Sequence, residues 1–232
     1  MRKIILFVLL TLAAHHSYGQ QTEFSIHLNS GFAAYRGASA VSDSYISDLW
    51  PGGEPQTGNP NGRKLGLSYG LAGQVQHVGK NQGVWGVQGG YEILKSRVRI
   101  NYFLPEAFNI IYPVDGSTTL ANHFVNLHPY FGHRFNLKTL NLDLMGGPEV
   151  GWLYRSHEKG KAEGDGISVQ TDLNRSHPDV DVRARVNLAA FYKRVGLSLG
   201  YSYGLINYRR NYDGGSNDLY LQVFRLGLAY HI

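Results

Sequence analysis

The carboxyl-terminal stretch of this chain, 218–232, reads DLYLQVFRLGLAYHI and alternates with a period of two. Phe224, Leu226, Leu228, Tyr230 and Ile232 share one face, and Arg225, Gly227, Ala229 and His231 share the other. A strand with a bulky apolar side and a small, polar side suits a membrane barrel, where one face meets lipid and the other the lumen. No other feature constrains the fold as strongly, because the pattern recurs in seven earlier segments.

Phe24, Ile26 and Leu28 oppose Glu23, Ser25, His27 and Asn29; Leu65, Leu67, Tyr69, Leu71 and Val75 oppose Gly66, Ser68, Gly70, Ala72, Gln74 and Gln76. Trp85, Val87, Tyr91 and Ile93 then face away from Gly86, Gln88, Gly90 and Glu92. Between Asn122 and Phe135, Val125, Leu127, Pro129 and Phe131 alternate with Asn126, His128, Tyr130 and Arg134. Leu140, Leu142, Leu144, Val150 and Trp152 oppose Asn141, Asp143, Gly147, Glu149 and Gly151. The last two sets are Val180 to Tyr192 against Asp181, Arg183, Arg185 and Asn187, and Val195 to Leu205 against Gly196, Ser198, Gly200, Ser202 and Gly204.

The connections alternate long and short. Arg36–Arg63, the region of Pro105, Pro113 and Asp115-Gly116, Arg155–Pro178, and the Arg209 to Gly215 region are rich in turn residues or charge and read as irregular loops. Short turns fall at Gly79–Gln82, Asn136–Lys138 and Lys193-Arg194. Eight strands joined in this way predict an all-β fold: an eight-stranded antiparallel transmembrane up-and-down β-barrel with short periplasmic turns and long extracellular loops. A soluble calycin-type barrel would use the same alternation inside out. Against it stand the charges on the small face and the placing of Trp85, Trp152, Tyr192 and Tyr230 near strand ends, where bilayer interfaces hold aromatic rings.

Residues 1–19 read as a cleaved signal peptide, with Arg2 and Lys3, an apolar core from Ile4 to Ala14, and Ser17-Tyr18-Gly19 before Gln20; residues 20–232 form the barrel domain. The apolar core is too short for a membrane anchor, which needs ~20 residues. The absence of cysteine excludes disulfides, thiolate metal sites and a lipidated amino terminus. A formal charge of +5, two of it in the leader, comes without any dense basic run and gives no nucleic-acid partner.

Three stretches, Leu127-His128-Pro129-Tyr130, Gly146-Gly147-Pro148-Glu149-Val150-Gly151 and Tyr201-Ser202-Tyr203-Gly204-Leu205, resemble the outer-membrane β-barrel family of Bacteroidota, the broad group that includes PorT-like proteins. The likeness covers nearly all the mature chain. It implies an eight-stranded outer-membrane barrel and, for most members, no known activity. No stretch ties the chain to the secretion-linked PorT branch, so that function is not carried over.

Glu92, Glu149, Arg183, Arg185 and Arg225 all take lumen parity. At this strand number side chains fill the interior, so the expectation is a charge-paired plug rather than an ion path. Arg36, Arg63, Lys64, Lys95, Arg97, Arg155, Arg209 and Arg210 gather where strands give way to long connections, the height of lipopolysaccharide phosphates. Outer-membrane lipid and lipopolysaccharide, and other outer-membrane proteins, are therefore the expected partners. No metal site or cofactor is expected: His128 points away from His123 and His133, which lie ~33 Å apart on an extended strand. Ser156-His157-Glu158 and Ser176-His177 offer catalytic residue types, but neighbours on an extended chain point apart, so catalytic residues are none. The function expected is non-enzymatic, in surface or envelope structure or in interaction through external loops. The alternatives are an accessory subunit of a transport or secretion complex and a lipid A-modifying enzyme.

Overall fold

The computed structural model describes residues 21–49, 54–105, 110–164, 166–176, 178–210 and 217–232; the signal segment lies outside them. Eleven strands follow in order: β1 (Gln21–Arg36), β2 (Asp43–Ser47), β3 (Gln56–Thr57), β4 (Lys64–Val78), β5 (Gly83–Leu104), β6 (Tyr112–Leu137), β7 (Leu140–Gly164), β8 (Ile167–Asn174), β9 (Val180–Tyr192), β10 (Val195–Gly204) and β11 (Tyr220–His231). Eight of them close a ring in the order β1, β4, β5, β6, β7, β9, β10, β11, each antiparallel to its neighbours. The ring shuts where β11 pairs β1, from Ser25 opposite His231 to Arg36 opposite Tyr220. Each short turn contains one non-glycine residue in the left-handed region, Gln82, Lys138 and Lys193, as tight hairpins require.

The faces fall as their parity predicts. Phe224 is 47% and Leu197 58% exposed, while Arg183 is 0% and Arg225 6% exposed. The bulky apolar residues of every ring strand thus form a continuous outer surface that water would not tolerate and lipid satisfies. On β5 the outer run from Trp85 to Ile93 rises about 20 Å at ~3.3 Å per residue and ~40° tilt, close to the apolar band of such barrels. Trp85, Trp152, Tyr192 and Tyr230 are all on this surface. Trp152 shares an upper row with Val125 and Tyr91, and Tyr230 a lower one with Val195 and Tyr192.

Three long connections depart from the irregular loops read in the sequence. β5, β6 and β7 run on past the apolar belt, carrying Pro113, Asp115 and Gly116 inside β6 and Arg155 to Gly164 inside β7, and β8 adds a further strand to β7. The glycine is there for close approach: a Cβ on Gly116 would sit 2.1 Å from the Lys161 carbonyl oxygen. In the first connection β2 pairs parallel with the top of β5, and β3 pairs β2. Ile46 of β2 is buried with Val98, Ile100, Val114, Ala162 and Val169. The extended sheet is therefore a wall with an apolar inner face, covered by the first connection. In the fourth connection, Asp213-Gly214-Gly215 lies outside the described residues.

One extra residue sets which face of the wall is which. His123 pairs Arg155 but Phe124 pairs Leu153, so Tyr154 is a bulge. Below it the odd residues of β7, Glu149 and Gly151 among them, face the lumen; above it Ser156 and Glu158 are buried and Arg155 and Lys159 are exposed.

Candidate functional site

All five residues expected at the centre of the lumen meet there. Glu149 accepts hydrogen bonds from Arg183 Nη1, from Arg185 Nη1 at 2.9 Å and from Arg225 Nη2 at 2.9 Å. Arg225 spans to Glu92 with Nε and Nη2 at 2.7 and 2.8 Å, and Asn126 donates to the same carboxylate at 2.7 Å. Asp181 accepts from Arg183 Nε at 2.6 Å, so three guanidiniums face three carboxylates and the buried charge balances. Asp181, Asn126 and Ser202 complete the cluster without having been assigned to it from sequence; the shared parity of Asp181 and Arg183 is the signal that could have found the first.

Small residues make the room. A Cβ on Gly151 would lie 2.9 Å from Arg183 Nη2 and 2.7 Å from Asn126 Oδ1. The Arg183 guanidinium also stacks over Phe124, 4.6 Å from its ring centroid. Toward the periplasm, Arg134 forks onto Asp143 at 2.7 and 2.8 Å and onto Glu23 at 2.7 and 2.8 Å. On β6 and β7, between these charged layers, lie Tyr130 and Met145, which cluster with Val84 and Phe191. Phe124 lies level with Glu92, and above the central cluster come Tyr35, Leu94, Leu120 and Leu221.

Higher still, Glu158 fastens the first connection. It is fully buried and accepts from the Thr57 amide at 2.9 Å, Thr171 Oγ1 at 2.7 Å and Arg175 Nε at 2.6 Å. Ser156 Oγ donates to Asn122, whereas His157 faces outward, 3.0 Å from Asp172. The Ser156-His157-Glu158 stretch is thus split between two faces and assembles no catalytic triad; His177 lies outside the described residues. His128 is buried against the Pro148 carbonyl, and His123 bonds Tyr91 on the outer face.

The expected basic residues separate into groups. Arg36 and Arg63 commit donors to backbone carbonyls, Arg36 to Tyr35 and Arg63, and Arg63 to Gly37. Arg209 and Arg210 follow β10, near Asn207. Lys64, Lys95, Arg97 and Arg155 lie on the outer face of the wall. There β6 presents Ala121, Thr119 and Ser117 between Lys95, Arg97 and Arg99 of β5 and His157, Lys159 and Lys161 of β7, residue opposite residue. Short side chains between two rows of long basic ones make a trough. Its upper end is ion-paired: Arg99 with Asp115 at 2.8 Å, and Lys161 with Glu163, whose carboxyl it holds below the usual range by hydrogen bond and charge. Lys159 and Lys161 fall in the Arg155–Pro178 stretch that reads as a loop, where the alternation from Arg155 to Glu163 was the available signal; Arg99 continues the strand of Trp85 to Ile93 and was not singled out.

A closed ring of eight strands, apolar outside and charged within, defines a transmembrane barrel of the bacterial outer membrane. The chain matches the family described as outer membrane protein beta-barrel domain over residues 18–209, and it belongs to that family. Among solved structures it is similar to Ail, the attachment invasion locus protein of Yersinia pestis, in complex with the heparin analogue sucrose octasulfate, at 14% identity over 91% of this chain and 99% of that chain, with TM-score 0.35. It is similar also to Neisserial surface protein A, NspA, at 12% identity over 90% of this chain and 98% of that one, with TM-score 0.36. Among curated proteins nothing matches the sequence.

Proposed function

We propose that this protein is a non-enzymatic outer-membrane barrel, exported by its amino-terminal signal, whose lumen is closed by its own side chains and which works at the cell surface through its external β-wall. One observation carries the reading: the chain of ion pairs from Glu92 through Arg225 and Glu149 to Arg183 and Asp181 crosses the lumen between β5, β11, β7 and β9. Apolar clusters packed on either side of it support a lumen without a continuous aqueous path for ions. The Leu127–Tyr130, Gly146–Gly151 and Tyr201–Leu205 stretches support placing it in the broad outer-membrane β-barrel group of Bacteroidota that includes PorT-like proteins.

Single-channel recording in planar bilayers tests the closed lumen. The reading gives no stable ohmic conductance for the folded protein, and a reproducible unitary conductance would contradict it.

A further inference from the structure

We propose that the bilayer end of the trough on the outer wall is a binding site for the phosphate groups of outer-leaflet lipopolysaccharide, with Lys95, Arg97 and Arg155 as its ligands. This rests on the reading of the chain as an outer-membrane barrel with an external wall.

The charge of the trough is graded along its length. Near the tip Arg99 and Lys161 each have a carboxylate; lower on the β7 side, across from Lys95 and Arg97, Asp172 lies 3.0 Å from His157 and 3.4 Å from Lys159, which leaves Lys95, Arg97 and Arg155 as the trough's cations without one among the described residues. At the bilayer end, among the described residues, Lys95, Arg97 and Arg155 form no ion pair; their contacts are the Tyr69 ring, Ser117 Oγ, and Asn174 with His157. Lys64 lies directly opposite Arg97 across β4 and β5, a like-charge pair that costs stability until an anion sits against it. The cations without an ion pair thus lie above the lipid belt, Arg155 one outward step up from the row of Tyr91, Val125 and Trp152, Lys95 two and Arg97 three.

That gradient selects the ligand. A soluble polyanion arriving from outside would meet the neutralised tip first. A phosphate carried on a lipid whose acyl chains cover Tyr91 and Trp152 is delivered at the unpaired end instead. Guanidinium groups bind phosphate oxygens in paired hydrogen bonds, and Thr119 and Ala121 leave space between the two basic rows.

The test uses the full barrel in phosphatidylcholine vesicles doped with diphosphoryl lipid A. Apparent affinity is read from the rise in temperature at which the compact, heat-modifiable gel form is lost. The K95Q/R97Q/R155Q protein should bind about a hundredfold more weakly, about fivefold per cation. The R99Q/K161Q protein should stay within about threefold of wild type, since it removes charges already neutralised. Dephosphorylated lipid A should protect wild type no better than diphosphoryl lipid A protects the triple variant. Should the triple variant lack the compact form, the three single variants replace it, each expected about fivefold weaker, with R97K retaining binding. Wild-type affinity in these variants, equal protection by dephosphorylated lipid, or tighter binding of soluble heparin that depends on Arg99 and Lys161 would each overturn the site. None of these outcomes bears on conductance, so failure of the site and failure of the closed lumen are read separately.

Discussion

Arg225 on β11 crosses the lumen to Glu92 on β5 and grips it with two hydrogen bonds of 2.7 and 2.8 Å. Two strands, β1 and β4, lie between them around the ring, so the pair is a strut across the interior rather than a neighbour contact.

Removing one end of that strut leaves a buried charge unmatched. R225L should destabilise the barrel by about 3–5 kcal/mol, as should E92L, whereas the double variant should lose less than the sum of the two. Urea unfolding in detergent, followed by tryptophan fluorescence, measures all three. Additive losses would show that the two side chains do not depend on each other.

Gly151 tests the packing around the same cluster. G151A places a methyl group within 2.9 Å of Arg183 Nη2, and Arg183 is fully buried and held by Glu149 and Asp181. The expected loss is about 1–3 kcal/mol by overpacking, and G151V should be worse. A neutral G151A would mean that the Arg183 guanidinium does not rest over that backbone.

The latch at Glu158 governs the first connection. E158A frees the Thr57 amide and leaves Arg175 without its carboxylate, so β2 and β3 should detach from the wall while the barrel stays folded. Hydrogen exchange over β2 and β3 should then speed by at least about tenfold, with β10 and β11 unchanged, on the basis of losing hydrogen bonds to one charged group. Unchanged exchange in that segment would assign its hold to Ile46 and the apolar inner face instead.

Much of the barrel was legible in the sequence because a period of two leaves no freedom once one face is known. Phe224 to Ile232 alone fixes the sign, and Glu92, Glu149, Arg183, Arg185 and Arg225 then fall inside by counting. That Glu149 can meet Arg183 and Arg185 was legible, because their strands follow one another around the ring; that Arg225 reaches Glu92 was not. It depends on the stagger around the ring, which places Glu23 beside Arg134 and Asp143 although they are distant in the chain. The wall was hidden for two other reasons. Pro113, Gly116 and Gly160 read as breakers in isolation, yet they sit in strands, Gly116 against the Lys161 backbone and Gly160 against the Thr118 and Thr171 side chains. The bulge at Tyr154 reverses parity, and nothing in the alternation of β7 below it announces the change.

That reversal joins the lipid-facing barrel to the basic wall, so a nitroxide scan along β7 from Leu142 to Glu163 in lipid vesicles tests the account most directly. The prediction is oxygen accessibility peaking at even positions through Trp152, then a phase slip at Tyr154, then accessibility to a water-soluble relaxant peaking at Arg155, His157, Lys159 and Lys161. An unbroken period of two through residue 163, or oxygen accessibility at Glu149 and Gly151 in place of Val150 and Trp152, would contradict it.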